Sequence, residues 1–192
     1  MPTLPKSRYT AEEYLALERA AEYKSEFYSG EIFAMAGASE QHNLIVANLV
    51  RELGLQLKKR PCKTYPSDMR LKVASTGLYT YPDVMVVCGK ALLDDEEQDT
   101  LLNPTLIIEV LSPSTESADR GSKSGHYRKL ESLQEYLLVS QTKPHVEHYS
   151  RHPDHRWLLS EAEALQSEIR LSSVECVLPL SEIYDKVEFA LP

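Results

Sequence analysis

The chain has 192 residues and a formal net charge of −8, a length that suits one α/β or α+β domain, residues 1–192, with a real core. No linker, low-complexity tract or repeat divides it, Met1–Lys6 carries no apolar signal segment, and no stretch is long enough to span a bilayer. These features predict a cytoplasmic protein with no membrane partner, and the acidic balance by itself argues against a nucleic-acid binder.

Thr10-Ala11-Glu12-Glu13 opens a helix as a capping box, with Tyr14, Leu15 and Leu17 as its modest apolar face. A hairpin turns at Ser29-Gly30, and Gly37-Ala38-Ser39 introduces a long helix that Pro61 ends. Strands follow over Cys62–Tyr65 and Asp68–Val73, then two apolar strands around Asp83 and Glu109, separated by an acidic solvent loop at Asp94-Asp95-Glu96-Glu97. A helix is predicted over Ser122–Leu133, a strand over Glu135–Val139, and a hairpin around Pro153-Asp154. One strand near Ile169 and a short helix near Ile183-Tyr184 complete an α/β sandwich on a mixed sheet.

Cys62, Cys88 and Cys176 are odd in number, widely spaced and free of CxxC, so they read as reduced thiols. His145, His148, His152 and His155 invite a zinc site, but His145 and His148 face opposite sides of a strand and no acid or thiol cluster in the sequence completes four ligands. Arg51, Lys58, Lys59, Arg60, Lys63, Arg70 and Lys72 crowd the middle, and Arg120, Lys123, Arg128 and Lys129 follow the Glu109 strand. They read either as patches for phosphates or as solvated helix faces. The chain has no Gly-rich phosphate loop and no GxSxG elbow, so nucleotide hydrolysis and serine esterase chemistry have no support.

The sharpest feature is a single carboxylate in each of two apolar strands, Tyr81-Pro82-Asp83-Val84-Met85-Val86-Val87 and Leu106-Ile107-Ile108-Glu109-Val110-Leu111. Strands this apolar belong to a sheet covered on both faces, where an ionised carboxylate must be paired or hold a cation. Two readings stand at this point. In one, Asp83 caps a turn and Glu109 pairs with a buried Arg or Lys. In the other, the two hold Mg²⁺ or Mn²⁺ for phosphodiester hydrolysis.

The ordered series Gly30-Glu31-Ile32, Gly37-Ala38-Ser39-Glu40-Gln41-His42-Asn43, Ser67-Asp68-Met69-Arg70, Tyr81-Pro82-Asp83-Val84, Glu109 to Thr115, and Asp119 to Lys123 with Tyr127 resembles the Uma-two family of endonucleases. That family lies within the PD-(D/E)xK restriction-endonuclease-like superfamily. The resemblance implies a central mixed sheet flanked by helices, a Mg²⁺ or Mn²⁺ cofactor held by Asp83 and Glu109, DNA as substrate, and a homodimer. The motif lysine two residues after Glu109 is replaced by Leu111, which cannot orient water, and Lys123 is the candidate to stand in. Glu31, His42 and Tyr127 are accessory candidates, and Asp119 is read as a helix cap or a partner of Arg120. The alternative is a catalytically inactive nuclease-fold module that binds protein or nucleic acid.

Overall fold

The computed structural model describes residues 8–113 and 115–189; Met1–Lys6 and Ser114 lie outside them. Helix α1 (Ala11–Ala20) starts at the expected capping box, with Thr10 Oγ1 accepting from Glu13 N and Glu13 Oε2 accepting from Thr10 N. It buries Tyr14 and Glu18, whereas Leu17 is exposed. Strands β1 (Ser25–Tyr28) and β2 (Glu31–Ala34) form the hairpin. Its two turn residues, Ser29 and Gly30, have φ of 52° and 85°, the paired positive φ that a two-residue hairpin turn demands.

Helix α2 (Glu40–Leu57) is capped by Ser39 Oγ and buries Ile45, Asn48, Leu49, Leu53 and Leu57. Beyond Pro61 run β3 (Cys62–Pro66), β4 (Arg70–Val73), β5 (Leu78–Thr80), β6 (Val84–Cys88), β7 (Thr100–Leu101) and β8 (Leu106–Leu111). A helical stretch follows as α3 (Glu116–Ala118), a π-helical turn Asp119–Lys123, and α4 (Ser124–Tyr127). Then come β9 (Glu135–Ser140), β10 (His145–Arg151), β11 (Trp157–Glu163), β12 (Glu168–Leu171), β13 (Cys176–Pro179) and α5 (Leu180–Ile183).

The larger sheet runs β11-β10-β9-β8-β6-β3, with β8 and β9 parallel and the other pairs antiparallel. A second sheet, β2-β1-β5-β4-β7, accompanies it, and β12 pairs with β13. Val84, Val86, Ile108 and Val110 join Leu49, Leu53, Leu137, Leu178 and Ile183 in one core. Met85, Val87, Ile107 and Leu111 point the other way, into a core with Leu71, Val73, Tyr127 and Leu138. Successive side chains of β6 and β8 thus enter opposite cores, the two-sided burial that their uninterrupted apolar runs require.

Three expectations are corrected. The helix predicted over Ser122–Leu133 begins earlier and ends at Tyr127, and Leu130 and Leu133 reach the core from turns. Strand β13, which pairs with the strand near Ile169, had no counterpart in the sequence reading. Cys62 and Cys88 are disulfide-bonded, while Cys176 is free and buried. The two stand opposite each other in the β3–β6 register, beside the Gly89 N to Pro61 O hydrogen bond. Such a non-hydrogen-bonded pair brings side chains close, and no count of cysteines along the chain reveals it.

The acidic loop is pinned rather than free. Lys72 pairs with Asp94, and Arg19 of α1 pairs with Asp95 and Asp99. Arg19 chiefly, with Thr100 and Arg70, holds the Asp99 carboxyl at about 2, against 3.8 for the ordinary group. A depressed carboxyl stabilises the fold fully above its unfolded value, and that contribution is lost as pH falls through the folded one. The difference in urea midpoint between wild type and Asp99→Asn is therefore expected to shrink as pH is lowered from about 4 to about 2. A constant difference across that window would show that the ion pairs do not set it.

Most of the basic residues picked out in the sequence are likewise engaged. Arg51 pairs with Glu52, Glu182 and Asp185, Arg60 with backbone carbonyls and Glu175, and Arg120 with Glu116 and Glu147. Arg70 is buried against Tyr81, Asp99 and Thr100. Among the described residues no helix is long and apolar enough to cross a membrane.

Candidate active site

Asp83 lies immediately before β6 and Glu109 in β8, and the antiparallel pairing of Val84 with Ile108 sets them side by side. Each is tied to the other's strand. Asp83 N donates to Glu109 Oε2 at 3.2 Å, and Val110 N donates to Asp83 Oδ2 at 2.7 Å. Both carboxylates share the face of the sheet that carries Met85 and Ile107.

The expected lysine arrives from the helical stretch after β8. Lys123 Nζ is 3.8 Å from Glu109 Oε1, 3.3 Å from Asp119 Oδ1 and 2.8 Å from Glu26 Oε1. Asp119 and Lys123 bound the π-helical turn, and single π-turns are frequent where a helix must aim side chains at a site. Tyr127 Oη donates to Glu109 Oε1 at 2.7 Å, so this ring fixes the carboxylate rather than merely packing the lysine stem. His42 Nε2 lies 3.1 Å from Asp83 Oδ1, positioned by the first turn of α2, and its Nδ1 is buried with no hydrogen-bond partner among the described residues.

Two acids of the cluster were missed or misread. Glu26 of β1 reaches both Lys123 and Thr80, whose Oγ1 donates to it at 2.5 Å. Alternation along β1 buries Phe27 and turns Glu26 the other way, but nothing in sequence pairs it with residue 123. Asp119 faces Lys123, not Arg120. Glu31, by contrast, is exposed on β2 and makes no ion pair among the described residues, and Arg70 is committed elsewhere. The hairpin delivers Glu26 to the cluster and leaves the accessory candidate Glu31 outside it.

Electrostatics follow from four buried or half-buried carboxylates around one ammonium. Burial first, then the Asp119 and Asp83 charges, push the Glu109 carboxyl well above its usual range despite Lys123. Burial also raises Asp119. Lys123 is pulled down by burial, but Glu109, Glu26 and Asp119 together outweigh this and hold it above the ordinary lysine range.

This donor set fits a hard divalent cation. Oxygen ligands of Asp83 and Glu109 adjoin one another, and the cluster carries more negative than positive charge.

The sequence pattern of the Uma2 family, described as "Putative restriction endonuclease", matches residues 11–181. The chain belongs to the Uma2 family. Among its relatives are two Synechocystis sp. proteins, "Uncharacterized protein sll1609" and "Uncharacterized protein slr1290". The first is 45% identical over 163 residues, covering 85% of this chain and 92% of that one. The second is 34% identical over 188 residues, covering 98% and 97%. A crystal structure from Anabaena variabilis, titled as that of "a putative nuclease belonging to DUF820", superposes with a TM-score of 0.76 at 19% identity, over 94% of this chain and 99% of that one. Likeness at that identity shows the fold, and the mixed-sheet, restriction-endonuclease-like architecture implied by the Uma2 resemblance is the one observed.

Proposed function

We propose that the chain is a Mg²⁺- or Mn²⁺-dependent DNA endonuclease that hydrolyses phosphodiester bonds, with Asp83 and Glu109 as metal ligands. The observation that carries this reading is the cross-bonded Asp83–Glu109 pair with Lys123 beside it. When bound, the cation supplies Lewis acidity and an acidified water. Tyr127 and the Asp83 amide hold the two oxygens of Glu109, and the Val110 amide and His42 hold those of Asp83, so neither carboxylate must reorganise on loading. Lys123, kept charged by its three acids, offers a preorganised donor where negative charge develops on the phosphate. In this reading residues 1–192 act as one cytoplasmic domain, and a homodimer would allow both strands to be cut.

The test is nicking of supercoiled plasmid by the wild-type chain. Nicking is expected with Mg²⁺ or Mn²⁺ and none in EDTA. A second reading, an inactive nuclease-fold module that binds protein or nucleic acid, draws on Leu111 at the motif-lysine position and on the paired state of most basic residues. It requires DNA retention without cleavage under every metal condition, or no affinity for DNA at all.

A further inference from the structure

On β10 and β11 a second cluster of ligating side chains forms from residues distant in sequence. The antiparallel register sets His145 opposite Glu163 and Glu147 opposite Glu161, so the four lie on one face of two adjacent strands. Ligand atoms of His145, Glu147 and Glu161 all lie within 4.8 Å of one another. His145 Nε2 is 3.0 Å from Glu161 Oε1 and 3.9 Å from Glu163 Oε1, and its side chain is only 10% exposed. His145 also lines a cavity of about 250 Å³ with Arg120, Ser140 and Lys143.

The charge arrangement needs a cation. Like charges directly opposite each other destabilise a strand pair, and Glu147 facing Glu161 is such a pair. Arg120 and the Tyr149 hydroxyl engage Glu147, yet among the described residues no Lys or Arg pairs with Glu161 or Glu163. Three carboxylates thus meet one guanidinium, which Glu116 also shares. The sequence alone sets zinc aside because His145 and His148 face opposite sides of a strand and no acid or thiol cluster completes four ligands; strand register brings Glu161 and Glu163 to the face of His145 and Glu147.

We propose that His145, Glu147 and Glu161, with Glu163 as a further carboxylate, form a site for a borderline transition-metal dication, Zn²⁺ being the type case. One imidazole nitrogen with carboxylate oxygens is a zinc donor set, whereas Mg²⁺ seeks oxygen and water alone. Exposed Glu161 and Glu163 have the freedom to close on an ion that the buried imidazole anchors. Such an ion would fasten edge strand β11 to β10.

Calorimetric titration of the metal-stripped full-length chain with Zn²⁺, paired with metal content after dialysis, tests the site. Asp83→Asn is expected to keep this zinc, since its carboxylate belongs to the other cluster. Glu161→Gln, an exposed change that leaves the sheet intact, should weaken Zn²⁺ binding by at least about tenfold, and His145→Gln should remove it. Mg²⁺ at the same concentration should not compete. Loss of all zinc in Asp83→Asn would overturn the proposal, as would wild-type affinity in both Glu161→Gln and His145→Gln. Neither result bears on plasmid nicking by the Asp83–Glu109 site.

Discussion

Asp83→Asn is expected to abolish metal-dependent nicking, lowering the rate by more than about 10³-fold, or roughly 4 kcal/mol of transition-state stabilisation. The substitution keeps the shape and leaves an oxygen to accept from Val110 N, but removes one anionic ligand. Glu109→Gln should be as inactive and yet fold at least as well in EDTA. Burial holds the Glu109 carboxyl above its ordinary range, so its ionised form costs the folded state free energy. That cost is absent below the unfolded carboxyl value and grows as pH rises above it. The gain in melting temperature from Glu109→Gln should therefore appear above about pH 4.5 and vanish below. Nicking that survives in both variants would remove these carboxylates from the mechanism, and an equal loss of stability in both would assign them a structural role instead.

Lys123→Ala should lower the nicking rate about 10²–10³-fold at saturating metal, the usual loss when one donor to developing charge is removed. Metal affinity should hold or rise, because the variant leaves Glu26, Glu109 and Asp119 without their shared cation. That same uncompensated charge is expected to cost on the order of 3–5 kcal/mol of stability. The double variant Glu26→Gln with Lys123→Gln removes one charge of each sign and separates the two effects. It should recover much of the stability and none of the activity. Activity equal to wild type in the double variant would show that Lys123 serves only to neutralise buried acids.

The contrast between Glu26 and Glu31 shows where sequence reading stopped. Both acids sit in one hairpin, and the turn at Ser29-Gly30 was legible because only a few residue types adopt its positive φ. Which acid faces Lys123 depends on how β1 lies against the helical stretch after β8, a packing relation that local pattern does not encode. Tyr127 was legible as a neighbour of Lys123, but its hydrogen bond to Glu109 depends on the π-helical turn between them. The basic residues misled for a related reason: a run of Lys and Arg looks free until the acids that fold back onto it are known.

By itself the sequence determined the two-sided burial of β6 and β8, the capped helices, and one carboxylate in each of two apolar strands, Asp83 and Glu109; Lys123 entered only through the Uma-two resemblance. Apolar runs, capping residues and turn residues act within a few positions of one another, so the chain states them locally. Only the tertiary structure decided the cross-bonding of Asp83 with Glu109, the arrival of Glu26 and Asp119, the Cys62–Cys88 disulfide and the His145 cluster. Each of these rests on strand register or layer packing between distant segments. A register shifted by one residue would turn each strand-borne side chain among them to the opposite face.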